Sequence, residues 1–319
     1  MRTQQPISSG FNKLSTATDV LANLVLTGKT AIITGGHSGL GFESTKALVA
    51  TGAQVIVGAR NVEVAQEMLK NMPSVTTMEL DLSDLNSVKR FSDELINSKI
   101  HVDMLICNAG IMACPETRIG LGWEAQFATN HIGHYVLTNL IWSMLNPGAR
   151  IVCVSSAGHH LSSIRWDDIH FEKEAYDKWI AYGQSKTANA LFALQLDEFG
   201  KEQDIHAFSL HPGKIFTPLQ RHLAMEEMIT AGWLNKEGKP ADPTFKTPGQ
   251  GAATQVWAAT SPKLEGLGGL YCEDCEIARP ASINTESFRG VREYAANLIE
   301  AQRLWELSAD LTGVNAFRY

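Results

Sequence analysis

The sequence has few cysteines, no long apolar run and no cluster of basic residues. Five cysteines are an odd count, and three of them fall in predicted strands or strand ends, which does not indicate a disulfide framework. We therefore expect a reducing, cytoplasmic compartment. Cys272 and Cys275 form a single Cys-x-x-Cys pair with no second ligand pair nearby, so we interpret them as reduced thiols and expect no metal site.

The other two absences exclude classes of partner. No apolar run approaches the length of about 18 residues that a transmembrane helix needs, so we expect no membrane partner. The opening MRTQQPISSGFNKLST lacks the apolar core of a signal peptide, so we expect no secretory signal. A formal net charge of -7 without basic runs gives no support for nucleic-acid binding. A small anionic ligand needs only a local positive site, so the net charge does not exclude one.

Short β-rich runs alternate with helical stretches along most of the chain. This alternation predicts an α/β fold, namely a single Rossmann-type doubly wound parallel sheet with helices on both faces. The predicted strands are 29–34, 54–57, 75–80, 102–107, 151–154 and 205–210, and the predicted helices are 43–50, 62–70, 84–97, 126–145, 186–199 and 295–307.

The remaining segments are assigned around this core. Residues 1–27 are predicted to be an N-terminal arm, and 28–285 the Rossmann-fold catalytic domain. Within that domain, 221–248 has no regular pattern, and a long irregular segment between core elements is typical of a substrate-binding segment. Residues 286–319 are predicted to be a C-terminal extension packed on the same domain.

A glycine-rich loop, TGGHSGLG, lies between the first predicted strand and the first predicted helix. Gly35 permits the tight turn, Gly39 lets the backbone approach a pyrophosphate, and Gly41 allows the helix to pack closely on the strand. The helix N-terminus offers free N–H groups to phosphates. We interpret His37 as a solvated loop residue near those phosphates.

The end of the second strand predicts the preferred dinucleotide. Enzymes that use NAD place a carboxylate near this point to bind the ribose 2′-hydroxyl. Here Ala59 occupies that position and Arg60 follows it, and a guanidinium suits a 2′-phosphate. We therefore predict NADP(H).

Tyr182 and Lys186 are four residues apart in a helical stretch, so the phenol and the ammonium lie on one helix face. A nearby ammonium lowers the pKa of a phenol, which can then act as a general acid or base. A serine at the end of the strand before them, Ser155 or Ser156, can donate a hydrogen bond to a substrate oxygen.

In this order the motifs resemble those of the short-chain dehydrogenase/reductase family, most closely its retinol-dehydrogenase-like and WW-domain-oxidoreductase-like branch. The resemblance covers roughly residues 20–310. The motifs that carry it are TGGHSGLG at 34–41, LDLSD at 80–84, CNAG at 107–110, TNHIGHYVLT at 129–138, VSSAGHH at 154–160, YGQSK at 182–186 and HPGKIFT at 211–217.

The resemblance implies a role for each matching position. Ser156 is implied as the catalytic serine, Tyr182 as proton donor or acceptor, Lys186 as the residue that holds the ribose hydroxyls, and Asn130 as the holder of a water in the proton relay. Together with the loop residues, the positions expected to contact NADP(H) are Gly35, His37, Ser38, Gly39, Leu40, Gly41, Arg60, Asp81, Leu82, Asn108, Ala109, Gly110, Tyr182, Lys186, Pro212, Gly213, Ile215 and Thr217.

The chain departs from the family pattern at two positions. Cys107 occupies a position where the family often has Asn, and a cysteine there is expected to preserve activity. Lys214 follows the Pro-Gly pair, at a position where apolar residues are common. The resemblance therefore does not determine which substrate or cofactor contacts are made there.

Residues 159–181 form a long, aromatic-rich excursion between the catalytic serine and tyrosine. Such side chains either form an apolar pocket wall or anchor the excursion to the core. We predict the pocket residues Met112, Trp166, Tyr176, Trp179, Phe216 and Leu219.

The predicted function is interconversion of a bulky apolar ketone or aldehyde and its alcohol with NADP(H). One alternative is a sugar-nucleotide epimerase or dehydratase, although these usually carry TGxxGxxG. Another is a non-catalytic NADP-binding sensor or scaffold, although such proteins tend to lose the Tyr or the Lys. Because many relatives pair through helices equivalent to 126–145 and 182–199, we expect a homodimer or homotetramer.

Overall fold

The computed structural model describes residues 4–281 and 288–317, so the predicted boundary between residues 285 and 286 lies outside the described residues. Its centre is an eight-stranded sheet in which all strands but the last run parallel. The strand order is β10-β9-β8-β7-β4-β1-β2-β3, which confirms the predicted doubly wound fold. The strands are β1 Thr30–Thr34, β2 Gln54–Ala59, β3 Val75–Glu79, β4 Val102–Cys107, β7 Leu145–Val154, β8 His206–His211, β9 Leu270–Glu273 and β10 Glu276–Ile277, with β5 Arg118–Ile119 and β6 Trp123–Glu124 in a separate hairpin.

The helices cover both faces of the sheet. They are α1 Ala17–Leu21, α2 Gly39–Ala50, α3 Val62–Leu69, α4 Leu85–Ser98, α5 Ala125–Phe127, α6 Gly133–Leu140, α7 Lys178–Gly200, α8 Met225–Thr230, α9 Pro248–Thr260 and α10 Leu298–Thr312. Two of them begin well before their predicted starts. The first turn of α2 was not predicted because it contains glycines of the loop. The start of α7 is set by Asp177, whose carboxylate accepts from the N–H groups of Trp179 and Ile180.

Alternate residues of β1 point to opposite faces and enter different cores. Ile33 packs on one face with α1, α2 and α9, whereas Ile32 packs on the other with α4, α6, α7 and α10. Both strand faces are therefore apolar, as expected of a parallel sheet covered on both sides. This leaves the carboxyl ends of the strands as the place where polar groups converge.

The predicted helix over 126–145 is confirmed over 126–140, where α5, a π-helical turn and α6 follow one another without interruption, but residues 141–145 lie outside it. The structure has α5, a π-helical turn over Ala128–Ile132, then α6 and a 3-10 turn over Trp142–Met144. The next strand, β7, begins at Leu145 and includes Pro147 and Gly148, which a helix does not accommodate in its interior. The apolar pattern continues past Leu140 into β7, so periodicity alone could not find the end of the helix.

The C-terminal helix covers the face through which dimerisation was expected. Every residue of α7 from 181 to 197 is buried within the single chain. Trp305 of α10 packs against Phe192 of α7 and Tyr135 of α6, with ring centroids 6.0 and 4.8 Å apart. A helix that is buried on all sides offers no surface to a second copy. Pairing through α7 would therefore require α10 to move, and the homodimer or homotetramer expected from the sequence stays a prediction.

The N-terminal arm is attached to the central sheet, and the 221–248 segment is attached to the 211–217 motif that follows β8. The side-chain amide of Gln4 donates to the backbone carbonyl of Tyr271 and accepts from its N–H, which attaches the arm to β9. The 221–248 segment, called the lid below, contains α8 and is joined to the 211–217 motif by a parallel bridge between Ile215 and Lys246.

In the two described stretches of chain, no helix is both long and apolar enough to cross a membrane. The five cysteines are buried free thiols. Within the same stretches, no group of three or more metal-ligating side chains comes together.

Candidate active site

A cleft of about 1170 Å³ opens at the carboxyl ends of the parallel strands. The turn between β1 and α2 forms one wall. Gly35 has φ +67°, a conformation that favours glycine, and its N–H donates to the carbonyl of Gly58 at 2.8 Å. A Cβ atom at Gly41 would collide with the carbonyl oxygen of Gly35, so only glycine lets α2 approach the strand this closely. No side chain caps the start of α2, which leaves its first N–H groups facing the cleft.

A buried hydrogen-bond chain fixes this wall to the next strand end. The hydroxyl of Thr34 accepts from the N–H groups of Asn108 and Ala109 at 3.0 and 2.9 Å, so its own hydrogen points to Nε2 of His134, 2.9 Å away. Nδ1 of His134 then donates to the carbonyl of Asn130 at 2.9 Å. Burial lowers the pKa of His134 to about 4, which is consistent with a neutral ring.

The far end of the cleft carries the predicted adenine and 2′-phosphate residues. Ala59, Arg60, Asp81 and Leu82 line one continuous wall with His37. Nδ1 of His37 is buried and has no hydrogen-bond partner among the described residues. Burial, together with the charge of Arg60, lowers the pKa of the His37 imidazole. A buried polar atom without a partner beside a guanidinium suits an anionic group.

The structure distinguishes the two serines that follow β7. The Ser155 hydroxyl donates to the carbonyl of Lys186 at 2.7 Å, so it anchors the strand to α7 and is not free for chemistry. Ser156 lines the cleft, and its Oγ accepts from the N–H of Gly158 at 3.0 Å. The Tyr182 ring lies beside it, since a Cβ atom at Gly158 would come 2.7 Å from Tyr182 Cε1 and 3.4 Å from Ser156 Oγ. The geometry therefore brings together Ser156 and Tyr182.

Tyr182 and Lys186 lie side by side on α7 at the floor of the cleft, only 5% and 4% exposed. The Lys186 ammonium is 5.6 Å from the centroid of the Tyr182 ring. Burial raises the pKa of Tyr182 to about 12, against the opposing effect of the Ser156 hydrogen bond, and it lowers the pKa of Lys186 to about 8. The expected lowering of the tyrosine pKa is therefore not found in the protein without cofactor, because desolvation outweighs the opposing effect of the Ser156 hydroxyl.

Asn130 lies in the π-helical turn, a feature that often marks functional sites. Its amide nitrogen donates to the carbonyl of Ile111 and to Ser185 Oγ, both at 2.9 Å, and its Oδ1 accepts from the N–H of Ile111 at 2.8 Å. A Cβ at Gly110 would come 2.9 Å from Asn130 Oδ1 and 3.7 Å from Lys186 Nζ. The absence of a side chain at Gly110 thus keeps Asn130 and Lys186 close together. Asn130 itself is fully buried and does not line the cleft.

The 211–217 motif forms another wall of the cleft next to the glycine loop, and Pro212, Gly213, Ile215 and Thr217 all line it. The departure at Lys214 has a structural explanation. Its ammonium pairs with Asp242 of the lid at 2.6 Å, and the Lys246 N–H donates to its carbonyl at 2.8 Å. The lysine therefore attaches the lid to the motif.

Of the predicted pocket residues, Met112, Trp179 and Leu219 line the cleft, whereas three aromatic residues do not. Trp166 donates from Nε1 to Glu300 of α10 at 2.7 Å, so it anchors the excursion to the C-terminal helix.

The other two misplaced aromatics also have partners elsewhere. The Tyr176 hydroxyl donates to the carbonyl of Cys114 and accepts from Gln126, and the residue does not line the cleft. Phe216 stacks on Phe245 with centroids 4.1 Å apart and faces a separate pocket beneath the lid. The prediction of these three as cleft residues is corrected accordingly.

The sequence profile of the short chain dehydrogenase family matches residues 29–227. A Streptomyces antibioticus protein named "Probable oxidoreductase" is 42% identical over 296 residues, covering 89% of this chain and 98% of its own. Mouse retinol dehydrogenase 11 is 34% identical over 301 residues, covering 92% and 89%.

The chain belongs to the short-chain dehydrogenase/reductase family. The relatives place it in the retinol-dehydrogenase-like branch, as the motifs predicted, and family membership makes it an oxidoreductase that uses a nicotinamide cofactor.

Solved structures of the family share the fold. A crystal structure from Mycobacterium paratuberculosis superposes with a TM-score of 0.70 at 31% identity, covering 94% of this chain and 98% of its own. A Burkholderia cenocepacia short chain dehydrogenase in complex with NADP has a TM-score of 0.61 at 20% identity, covering 77% and 96%. At 20% identity, the similarity to the Burkholderia cenocepacia structure shows the shared fold alone.

Several residues of this family member contribute to the site but were missed from the sequence. Trp233 and Phe245 of the lid line the cleft, and Thr34 and His134 form the hydrogen-bond chain behind it. The lid aromatics lie far along the chain in a segment without periodicity. His134 carried a usable signal, because it is four residues from Asn130 and therefore on the same helix face.

Proposed function

We propose that the chain interconverts a bulky apolar ketone or aldehyde and the corresponding alcohol with NADP(H). The observation that carries this proposal is the meeting of Ser156, Tyr182 and Lys186 at the floor of a cleft whose other wall is the glycine loop. Hydride transfer to a carbonyl needs a proton donor at the oxygen and a dinucleotide site beside it, and this one cleft has candidates for both.

The residues present fit a phosphorylated dinucleotide. The bare start of α2 would hold the pyrophosphate, Lys186 the ribose next to the reacting ring, and Arg60 with His37 the 2′-phosphate. When bound, the cofactor supplies or accepts a hydride at the substrate carbon. Structural neighbours from Burkholderia cenocepacia and Pseudomonas aeruginosa are complexes with NADP, which is consistent with this choice of cofactor.

The side chains of the site supply the proton and the polarisation. In the reductive direction Ser156 donates a hydrogen bond to the carbonyl oxygen, and Tyr182 gives its phenolic proton to that oxygen as negative charge develops. The Lys186 ammonium stabilises the tyrosinate left behind. Asn130 is positioned by Ile111 and Ser185, close to Lys186, where it would hold a water for reprotonation.

The substrate class follows from the wall next to Tyr182. Met112, Trp179, Leu219, Leu223 and Trp233 form an apolar cluster with the Tyr182 ring. Such a wall favours large apolar groups over small polar ones, since burial of apolar surface is the main source of affinity there. A relative named retinol dehydrogenase 11 is consistent with substrates of this kind.

The free thiols support the proposed reducing, cytoplasmic compartment.

The test is the substitution Tyr182→Phe, assayed for oxidation of NADPH with a panel of carbonyl compounds. We expect turnover to fall by at least roughly 100-fold, because the phenolic proton is needed in the chemical step. NADPH binding, followed by the fluorescence of the bound nicotinamide, should change little. Tyr135→Phe is the matched control, since its hydroxyl donates to the carbonyl of Val314 outside the cleft. A Tyr182→Phe enzyme with most of its turnover, or a wild type inactive on every carbonyl, would refute the proposal.

A further inference from the structure

The carbonyl oxygen of Ser156 accepts hydrogen bonds from two side chains, that of His159 in the same turn and that of Tyr271, which is 115 residues away in the sequence. His159 Nδ1 lies 2.7 Å from this oxygen, and the hydroxyl of Tyr271 lies 3.1 Å from it. On the other side of the same turn, the N–H of Ala157 donates to Nδ1 of His211 at 3.0 Å. The peptide that follows the proposed catalytic serine is thus held from both sides.

The hydrogen-bond partners define the state of the His159 ring. Its Nε2 accepts from the backbone N–H of Arg292 at 3.2 Å, so the hydrogen of a neutral ring must be on Nδ1. Burial lowers the pKa of His159 to about 3, which keeps the ring neutral across the physiological range. Nδ1–H is then a donor to the Ser156 carbonyl, and Tyr271 is a second donor to the same oxygen.

The N-terminal arm and the turn before α10 are both attached to this pair. Gln4 of the N-terminal arm brackets the backbone of Tyr271, as described above, and the hydroxyl of Tyr294 donates to the carbonyl of His159 at 2.7 Å. His159 and Tyr271 also pack ring against ring, with centroids 4.9 Å apart.

We infer that His159 and Tyr271 are positioning residues that fix the direction of the Ser156 hydroxyl toward the substrate oxygen. Ser156 Oγ accepts from the N–H of Gly158 and lies beside the Tyr182 ring, and a rotation of the 156–157 peptide would move it away from both. A misplacement of about 1 Å in such a group can cost roughly 100-fold in rate. This inference rests on the proposed role of Ser156.

Two nearly isosteric substitutions separate the two functions of the imidazole. His159→Asn places an amide N–H where Nδ1–H was and loses the Nε2 acceptor. His159→Gln can place an oxygen near the Nε2 position and loses the donor to Ser156. We expect His159→Asn to keep kcat within about 3-fold, whereas His159→Gln and Tyr271→Phe lower it by roughly 10- to 100-fold with KM and NADPH affinity nearly unchanged.

His160→Asn is the matched control. His160 is the next residue on the same 3-10 turn, but its Nε2 bonds to the carbonyl of Gly290 and it does not line the cleft. This variant should behave as wild type. Thermal unfolding midpoints of all variants show whether a loss of kcat follows a loss of stability instead.

The Asn and Gln variants decide the outcome. Equal kcat for the two, or losses that follow the unfolding midpoints, would overturn the inference. Ser156→Ala is assayed alongside and separates the two levels. If Ser156→Ala keeps its turnover, the proposed function of the serine fails. If it loses turnover while His159→Gln and Tyr271→Phe do not, only the positioning role fails.

Discussion

The ammonium of Lys186 donates to the backbone carbonyl of Val154 at 2.9 Å, so it is tied to the end of β7. The same carbonyl accepts from the side-chain amide of Asn189, one turn further along α7. The lysine therefore enters the cleft in a fixed direction, below the ring of Tyr182. Its charge and the phenol are close neighbours, yet burial determines the pKa of both groups.

The first prediction concerns the ionisation of Tyr182 without cofactor. Because its folded-state pKa is raised to about 12, the group contributes stability that is present below pH 10 and is lost as the pH rises through about 12. At pH 10, where an exposed tyrosine is half ionised, Tyr182 should be almost fully protonated. The measurement is the tyrosinate absorbance of wild type minus that of Tyr182→Phe. A difference signal amounting to half a tyrosinate at pH 10 or below would contradict this.

The second prediction is a preference for NADPH over NADH. A charge-assisted contact between Arg60 and the 2′-phosphate is worth about 1.5–3 kcal/mol, which corresponds to roughly 10- to 100-fold in affinity. Arg60→Ala should lower kcat/KM for NADPH by about that factor and leave NADH unaffected. Ala59→Asp should shift the preference toward NADH, because a carboxylate repels the phosphate and binds the free 2′-hydroxyl.

The control for this experiment is Arg90→Ala. Arg90 is also exposed, but it lies on α4 near Glu79 and Asp84, outside the cleft. It tests whether any loss of positive charge weakens NADPH binding. A wild type that uses both cofactors equally well would show that Arg60 does not discriminate between them.

The third prediction is that aryl- or terpenoid-sized carbonyls are better substrates than acetone-sized ones, by roughly 10-fold or more in kcat/KM. Trp179 and Trp233 meet edge to face with centroids 6.2 Å apart and form the apolar wall. Trp233→Ala should raise KM for the large substrates more than for the small ones. Trp166→Ala removes an aromatic that is bound to α10 and should leave this ratio unchanged. Equal rates on small polar carbonyls would contradict the substrate class.

The fourth prediction is that the chain is a monomer in solution. Light scattering coupled to gel filtration should give a mass near 34.9 kDa at micromolar concentration. The physical reason is the coverage of α7 by α10, which occupies the surface that a second copy would need. A mass of two or four chains would show that the molecule associates through another surface.

The sequence predicted the sheet, the glycine loop and the family, because these depend on local signals. Thr34 to Gly41 is one continuous motif, and Tyr182 and Lys186 are one helical turn apart. The predicted placement of Trp166 was wrong for the opposite reason. Its partner Glu300 is 134 residues away, and no local pattern tells whether an aromatic side chain turns toward a cleft or toward a distant helix.

The pKa of Tyr182 also depends on contacts that local sequence patterns do not show. The sequence places an ammonium near the phenol of Tyr182, which predicts a lowered pKa. The extent of burial depends on the packing of Met112, Leu223 and Trp233 around that ring, which only the tertiary structure provides. Desolvation is the larger effect, so the direction of the shift in the chain alone is reversed.

The all-round burial of α7 also determines where the protein can change. The helix that carries Tyr182 and Lys186 has no solvent-facing position from 181 to 197, so a substitution anywhere along it alters a packed interior. The lid, by contrast, is largely exposed and contributes Trp233 and Phe245 to the cleft. New substrate preferences, in nature or in a mutant library, should therefore arise from lid positions, while α7 tolerates almost no variation.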